Sequence, residues 1–267
     1  MGGTSGGGAV TDPNVRTDRD GQAAVLTLDH PPTRNGLSPR MRELLMDAFA
    51  VAMRDPDVGV VVITGAGGNF SAGSDLTRVA EQDTPARVER MALFQRFVLG
   101  WRDAPKPVIV AVEGSAAGGG LSMALVADWA VAAEDAFFLP GWLRIGLVPD
   151  VACVWLLSRV LGEKRAWDWI VRGGRMDGAA AAEAGVVTDV CEPGDALTRA
   201  LRIADSAVEL PTHALTATKR LFRLALASHP SDFLLGELYA EAYLFGTADH
   251  REGVASFLEK RHPDWRT

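Results

Sequence analysis

The residue best suited to chemistry in this chain is a single carboxylate, Asp150, in the stretch IGLVPDVACVWLL at residues 145–157. It follows a proline and precedes seven uncharged residues. Partial desolvation by Val148, Val151 and Trp155 would raise the pKa of this Asp and make it useful for carrying a proton. The alternative role is a helix N-cap, which Asp favours, because a helix is predicted from Val151. The two roles do not exclude each other.

Two segments of small residues could hold developing negative charge. FSAGSDL at 70–76 follows a buried strand, and GSAAGGG at 114–120 runs from another strand into an apolar helix. A glycine costs a helix about 1 kcal/mol relative to alanine, so three at a helix start need a reason. Free N–H groups at a helix start bind negative charge with help from the helix dipole. An ordinary turn at the first segment and close packing at the second are the alternatives.

Composition favours a small-molecule partner. The 267 residues are 48% hydrophobic, enough for a sizeable core, and the net charge is −7 without a long basic run, which argues against nucleic acid. Cys153 and Cys191 form no disulfide framework, which indicates a cytoplasmic setting, and neither is expected to be a nucleophile. The five histidines show no metal-ligand spacing, so no metal site is expected.

Hydrophobic patterning predicts an α/β first half and a helical second half. Strand, helix and strand alternate up to about residue 132, which indicates a mainly parallel sheet, and from Pro149 onward the pattern is almost wholly helical. The predicted strands are 23–28, 58–63, 108–112 and 129–132. The predicted helices are one capped by Ser38, then 118–127, 151–160, 163–171, 178–184, 196–208, 211–227, 232–245 and 250–260.

Three regions are predicted along the chain. Residues 1–14 are expected to be a flexible leader because they lack the apolar segment of a signal peptide, residues 15–205 a folded core, and residues 206–267 a helical region. The long apolar stretch 108–138 is interrupted by charges and three glycines. It fits a strand, a turn and a helix better than a membrane span.

Three motifs together resemble the crotonase, or enoyl-CoA hydratase/isomerase, superfamily: AGSDL at 72–76, AVEGSAAGGG at 111–120 and IGLVPD at 145–150. The resemblance extends from about Ala23 to Trp265. It implies an α/β fold, a crotonase-like spiral of ββα units with a helical C-terminal trimerisation region, assembled as a homotrimer or hexamer. It also implies an acyl-CoA thioester substrate, with CoA carried by the substrate and no other cofactor.

The resemblance assigns roles to individual residues. By the family pattern, the N–H groups of Ser74 and Gly119 donate to the thioester oxygen and stabilise an enolate. The last helix of such proteins supplies an aromatic residue and a lysine near CoA, matching Phe257 and Lys260. The acyl pocket is expected from Leu76 to Gln95 and the helical second half. Further residues expected at the substrate are Arg34, Ala72, Gly73, Asp75, Gly118 and Trp142.

Departures from the family pattern bear on the reaction. Hydratases of this family use two glutamates, and the matching positions here are Ser122 and Trp142, neither of which carries a proton as a carboxylate does. Asp150 instead occupies a position used in the 1,2-epoxyphenylacetyl-CoA isomerase branch, which the chain resembles most. The sequence therefore predicts an isomerase that shifts a double bond with Asp150 as its single acid/base.

Other functions remain open at this point. Trp142 and Asp150 also have the spacing of 4-chlorobenzoyl-CoA dehalogenase, but the region 91–101 lacks the histidine base of that enzyme. A hydratase that uses other carboxylates and a non-catalytic acyl-CoA-binding homologue are further alternatives. RNA binding occurs in some relatives, and the acidic balance gives it little support here.

Overall fold

A computed structural model of the chain describes residues 12–76 and 84–265. Within them the chain forms nine strands and ten α-helices. The strands are β1 (Asn14–Asp20), β2 (Ala23–Asp29), β3 (Val60–Gly65), β4 (Val108–Val112), β5 (Ser115–Ala117), β6 (Trp129–Ala133), β7 (Phe137–Leu139), β8 (Met176–Asp177) and β9 (Asp189–Cys191). The helices are α1 (Pro39–Arg54), α2 (Thr84–Leu99), α3 (Gly119–Val126), α4 (Cys153–Val160), α5 (Glu163–Arg172), α6 (Gly178–Glu183), α7 (Ala196–Val208), α8 (Thr212–Ala225), α9 (Pro230–Phe245) and α10 (Ala248–Glu259).

A six-stranded sheet in the order β1-β2-β3-β4-β6-β9 forms the centre of the fold. Strand β1 pairs antiparallel with β2, and all other neighbours are parallel, which confirms the predicted sheet. Every residue of β4 is buried, as expected for a parallel strand covered on both faces.

Helices cover both faces of this sheet. On one face α7 lies against β3, β4 and β6 through a row of alanines at helical spacing, whose small side chains let the helix approach closely. The other face carries the larger core, to which α1 contributes an apolar stripe. Ser38 caps α1 as predicted, because its side chain accepts from the Met41 N–H at 3.2 Å. The buried stripe of α1 consists of Met41, Leu45, Phe49 and Ala52.

A second, three-stranded sheet in the order β5-β7-β8 lies beside the first. Strand β5 also makes an isolated parallel bridge to the chain that follows β3, between Ser71 and Ala116. The two segments of small residues singled out in the sequence are therefore joined by backbone hydrogen bonds.

The C-terminal helices α8, α9 and α10 attach to the core through α8. The Lys219 ammonium donates to the Asp128 carboxylate at 2.7 Å and to the carbonyl of Trp101 at 3.1 Å, and both charged side chains are largely buried. Among the described residues, no helix is long and apolar enough to cross a bilayer.

The structure departs from the sequence predictions in several places. Strand β1 and helix α2 were not predicted, because β1 is a mostly polar, exposed edge strand and α2 has little amphipathic pattern. The prediction of an almost wholly helical second half is wrong for β8 and β9, which are too short to leave a periodic signal. The predicted leader, residues 1–14, lies mostly outside the described residues, and β1 begins at its last residue.

Candidate active site

The site begins where the segments 70–76 and 114–120 meet. The Ser71 N–H donates to the Ser115 carbonyl at 2.8 Å, and the Ala117 N–H donates to the Ser71 carbonyl at 2.9 Å. Gly73 has φ +81°, and a Cβ there would lie 2.6 Å from the Ala117 oxygen. Because any side chain would push the two segments apart, glycine is required at this contact.

Asn35 fixes a third segment against the first two. Its buried amide Nδ2 donates to the carbonyls of Ala66 and Asn69 at 2.9 and 2.6 Å. The neighbouring Arg34 carbonyl then accepts from the Ala72 N–H at 2.9 Å. Arg34 therefore supports the segment 72–75 through its backbone, while its side chain is exposed.

Ser74 and Gly119 have N–H groups that lack a protein acceptor within the described residues. Gly119 is the first residue of α3, so its N–H belongs to the unsatisfied first turn of that helix. The N–H of the preceding Gly118 is already used, because it donates to the Leu139 carbonyl at 3.0 Å. Ser74 and Gly119 line one cavity, where both donors are available to a ligand.

Asp150 lies in the same cavity. It is held by Trp142 and Ser122, which occupy the positions where the family's hydratases are expected to carry glutamates. The Trp142 Nε1–H donates to Asp150 Oδ1 at 3.0 Å, and the Ser122 hydroxyl donates to the Asp150 carbonyl at 3.1 Å. Trp142 is only 5% exposed and Ser122 is fully buried. Trp142 therefore fixes the Asp150 carboxylate, and Ser122 fixes the backbone of the same residue.

The N-cap role considered for Asp150 is wrong. Helix α4 begins at Cys153 with Ala152 as its N-cap residue, and no side chain caps it. Val151 and Ala152 both have positive φ, at 50° and 59°, a region that non-glycine residues and above all β-branched ones avoid. This strained turn directs the Asp150 side chain into the cavity and not along the helix axis.

Burial raises the pKa of the Asp150 carboxyl above its ordinary value, and the Trp142 hydrogen bond and the nearby Arg42 charge oppose this shift. Such a carboxyl holds a proton more readily than an exposed Asp, which suits proton transfer. Burial also raises the pKa of the Cys153 thiol to about 12, so this neighbour remains a neutral thiol and not a nucleophile.

Arg42 is a cation whose charge acts on Asp150. Its Nε donates to the Leu37 carbonyl at 2.9 Å and its Nη2 donates to the Ser74 hydroxyl at 3.1 Å. The guanidinium carbon lies 4.8 Å from the ring centre of Phe94. Burial lowers the pKa of Arg42, yet an arginine stays charged in proteins.

The cavity has a volume of about 480 Å³ and a mainly apolar lining. No histidine is among the described residues that line it, and its carboxylates are Glu43, Asp75 and Asp150. Across the described part of the chain, no group of three or more His, Cys, Asp or Glu side chains could hold a metal ion. The lining residues come from the start of α1 (Leu37, Pro39, Arg42, Glu43, Met46), from Leu76 and α2 (Arg87, Arg90, Met91, Leu93, Gln95), and from residues 139–150 (Leu139, Gly141, Trp142, Arg144, Ile145, Leu147, Val148, Pro149, Asp150).

Most residues predicted for the site meet here. Arg34 and Gly73 support the lining from behind. Phe257, 82% exposed, and Lys260 lie at the end of α10 and do not line this cavity. The predicted residues that line it are Ala72, Ser74, Asp75, Gly118, Gly119, Trp142 and Asp150.

Sequence reasoning missed Arg42, because an arginine on a surface helix gives no local signal of burial. Besides the segment from Leu76 to Gln95, the sequence predicts that the helical second half lines the acyl pocket. In the structure α1 and residues 139–150 line the cavity there.

The mainly parallel sheet, the two joined loops and the carboxylate-bearing cavity agree with the crotonase-like fold that the motifs predict. Residues 18–267 match the family model described as enoyl-CoA hydratase/isomerase, so the chain belongs to this family, as the motifs predicted. Its similarity to solved structures confirms the predicted fold class. The crystal structure of an enoyl-CoA hydratase from Polaromonas sp. JS666 matches with a TM-score of 0.91 at 34% identity, covering 95% of this chain and 100% of that one.

Relatives of the chain include both an isomerase and a hydratase. The 1,2-epoxyphenylacetyl-CoA isomerase of Escherichia coli is 33% identical over 247 residues, covering 90% of this chain and 94% of that protein. The 2,3-dehydroadipyl-CoA hydratase of Escherichia coli is 32% identical over 253 residues, covering 93% and 96%. The chain is therefore an enzyme of the hydratase/isomerase family, and family membership alone does not choose between the two reactions.

The Trp142→Phe variant tests the hydrogen bond that holds Asp150. It removes the Nε1–H that stabilises the ionised carboxylate, so we expect the Asp150 pKa to rise above its already raised value. The measurement is an NMR titration of carboxyl-labelled aspartates, with the Asp150 signal assigned by its absence in Asp150→Asn. Trp155→Phe is the matched control, since Trp155 does not line the cavity. An unchanged or lowered pKa in Trp142→Phe would show that this contact does not control the carboxylate.

Proposed function

We propose that this protein is an acyl-CoA thioester isomerase that shifts a double bond through an enolate, with Asp150 as the single acid/base. The observation that carries the proposal is that Trp142 and Ser122 both hydrogen-bond to Asp150. On the family resemblance, these are the positions of the hydratase glutamates. At these two positions the chain has Trp142 and Ser122 in place of the glutamates that would carry protons. Both residues instead position Asp150, the group that we propose carries the proton.

The reaction needs one proton carrier and one anion site. The Asp150 carboxylate removes a proton from C2 of a 3-enoyl thioester, and the electron pair moves into the thioester carbonyl as an enolate. The N–H groups of Ser74 and Gly119 donate to that oxygen and lower the barrier by several kcal/mol. Protonated Asp150 then returns the proton to C4, which leaves the double bond between C2 and C3. The raised pKa of Asp150 supports this role, because the carboxyl must hold the proton between the two steps.

The remaining parts of the proposal concern the surroundings of the reaction. CoA enters as part of the substrate, and the steps above require neither a metal nor a second cofactor. We assign Arg34, Phe257 and Lys260 to CoA binding on the family pattern. A cytoplasmic setting is proposed because Cys153 and Cys191 are both free thiols.

Hydration is the second candidate, and one observation favours it. Asp75 lines the cavity together with Asp150, so a second carboxylate is present, as water addition requires a base for the water and an acid for the carbon. A relative is named as a 2,3-dehydroadipyl-CoA hydratase. Formation of a 3-hydroxyacyl-CoA from a 2-enoyl-CoA at rates typical of efficient enzymes would establish it.

Two further alternatives have less support. The Trp142–Asp150 hydrogen bond would suit a nucleophilic aspartate like that of the dehalogenase, but no histidine base lines the described part of the cavity. A non-catalytic acyl-CoA binder would not need a strained turn that directs a carboxylate into the cavity. Turnover of any enoyl-CoA excludes that alternative.

The Asp150→Asn variant separates proton transfer from a structural role. The Asn amide oxygen can still accept from Trp142, but the amide cannot take up and return a proton. We expect conversion of 3-enoyl-CoA to 2-enoyl-CoA to fall roughly 10²–10⁴-fold. The melting temperature should stay the same or rise at neutral pH, because a carboxyl whose folded-state pKa is raised costs stability once ionised. Activity that survives in a folded Asn variant would refute the catalytic role.

Gly119→Pro and Gly119→Ala form a matched pair that tests the oxyanion donor. Both add a Cβ that would lie 3.0 Å from Leu37 Cδ1, at the end of a flexible side chain, but only proline removes the N–H. Proline is tolerated at a first helical position. We expect the proline variant to lose roughly 100-fold in rate relative to the alanine variant, with CoA affinity little changed. Equal rates in the two variants would mean that the glycine serves packing only.

We further propose a trimer or a dimer of trimers, formed through the C-terminal helices. Helices α8 to α10 expose many large apolar side chains, among them Phe222, Leu234, Leu238, Tyr239 and Tyr243, all more than 60% exposed. Such a surface favours association. Light scattering at micromolar concentration should give three or six times the 28.4 kDa of one chain. A monomeric mass would contradict the proposal.

A further inference from the structure

Arg42 carries a half-buried charge that no carboxylate of the described residues neutralises by direct contact. Its fixed hydrogen bonds go to the Leu37 carbonyl and the Ser74 hydroxyl, both uncharged, and its face lies on the Phe94 ring. Within residues 12–76 and 84–265, it forms no ion pair and its Nη1 has no acceptor. Holding a guanidinium in an apolar cavity without a partner anion is costly.

A second guanidinium lies in the same cavity. Arg87 of α2 is half-buried, lines the cavity and has no hydrogen bond or ion pair with any described residue. It is near enough to Arg42 that its positive charge disfavours the protonated form of Arg42. The two like charges therefore line the same cavity. Among the described residues, the negative charge that acts on Arg42 is that of Asp150, which forms no ion pair with it.

The other charged groups of the lining are engaged elsewhere or oppose one another. Glu43 pairs with Arg40 at 3.6 Å, and Arg144 donates to the Gly173 carbonyl at 2.7 Å. Asp75 and Arg90 carry opposite charges, and both make interactions of their own. Among the described lining residues, Arg42 and Arg87 thus remain as the two cations whose charge an anionic ligand would neutralise.

We propose that Arg42 and Arg87 form an anion subsite for a carboxylate on the acyl group, so that the preferred substrates are mono-CoA thioesters of short dicarboxylic acids. The planar guanidinium fork matches a carboxylate in two parallel hydrogen bonds, and the apolar lining suits the methylene chain between the two ends. The acid must be short because Arg42 bonds to Ser74, whose N–H holds the thioester oxygen in the proposed function on which this inference rests.

A CoA phosphate is the other anion that could reach a guanidinium. The pantetheine arm separates the phosphates from the thioester, whereas Arg42 lies next to the predicted oxyanion site. The geometry therefore favours the acyl carboxylate, and truncated substrates without phosphate distinguish the two sources.

The test compares 3-hexenedioyl-CoA with 3-hexenoyl-CoA, which differ by one terminal carboxylate. In the wild type we expect kcat/KM to favour the diacid at least about 10-fold, because a buried charged donor without its partner is strongly disfavoured. The preference should disappear in Arg42→Met and shrink in Arg87→Met. Arg40→Met is the matched control, since Arg40 is exposed on the same helix and does not line the cavity.

The same pair of acyl groups is then offered as N-acetylcysteamine thioesters, which carry no phosphate. A preference that persists with these substrates and is lost in Arg42→Met supports the acyl-carboxylate subsite. The proposal is overturned if Arg42→Met lowers kcat/KM equally for both CoA thioesters and the wild type shows no preference between the two truncated thioesters. That result would assign the arginines to phosphate binding. A wild type without preference for the diacid also overturns it.

A binding measurement tests the anion subsite independently of the proposed isomerase reaction. If neither 3-enoyl thioester is converted, the isomerase proposal fails, but calorimetry with the saturated hexanedioyl-CoA and hexanoyl-CoA still tests the subsite. Tighter binding of the diacid, reduced in Arg87→Met, supports the subsite whatever the reaction is. Because Arg87 forms no hydrogen bond with Ser74, this variant also remains informative if Arg42→Met disturbs the loop.

Discussion

The cavity is organised around the half-buried carboxylate of Asp150, which forms no ion pair with any described residue. Desolvation of Asp150 must be offset, and the chain does this with one indole N–H, from Trp142, and with the charge of Arg42 at a distance. A direct ion pair would have lowered the pKa and fixed the carboxyl in its ionised form. Neutral donors, the Trp142 N–H and a backbone N–H, instead leave the pKa of the carboxyl raised while they hold the side chain in place. The positive φ angles of Val151 and Ala152 are the local strain that accompanies this placement.

The second requirement is a pair of backbone donors opposite that carboxylate. It is met by packing two loops so closely that Gly73 and Ala117 touch, with the Ser71–Ala116 bridge holding them in register. Because these donors belong to segments that the two sheets hold together, their positions depend on the fold as a whole. Arg42 joins the two halves of the site, since it bonds to the Ser74 side chain and also acts on Asp150 through its charge.

Sequence alone identified the motifs and the main strands because both are local signals. The apolar runs of β3 and β4, the Ser38 cap and the unusual glycines are visible in a few consecutive residues. Strand β9 and the Trp142–Asp150 hydrogen bond were beyond reach, because each depends on how distant segments meet. The N-cap interpretation of Asp150 failed for a related reason. A helix pattern shows where a helix lies, but not that the two residues before it adopt left-handed backbone angles.

The central claim is that one carboxylate carries one proton between two carbons of the same substrate. Turnover of a 3-enoyl-CoA deuterated at C2, in water enriched in ¹⁸O, tests this most directly by mass spectrometry of the product. A shuttle through Asp150 predicts a 2-enoyl-CoA that retains deuterium at C4 in a fraction of its molecules and contains no ¹⁸O. A product with no deuterium at C4, or a 3-hydroxyacyl-CoA that carries ¹⁸O, would contradict the account.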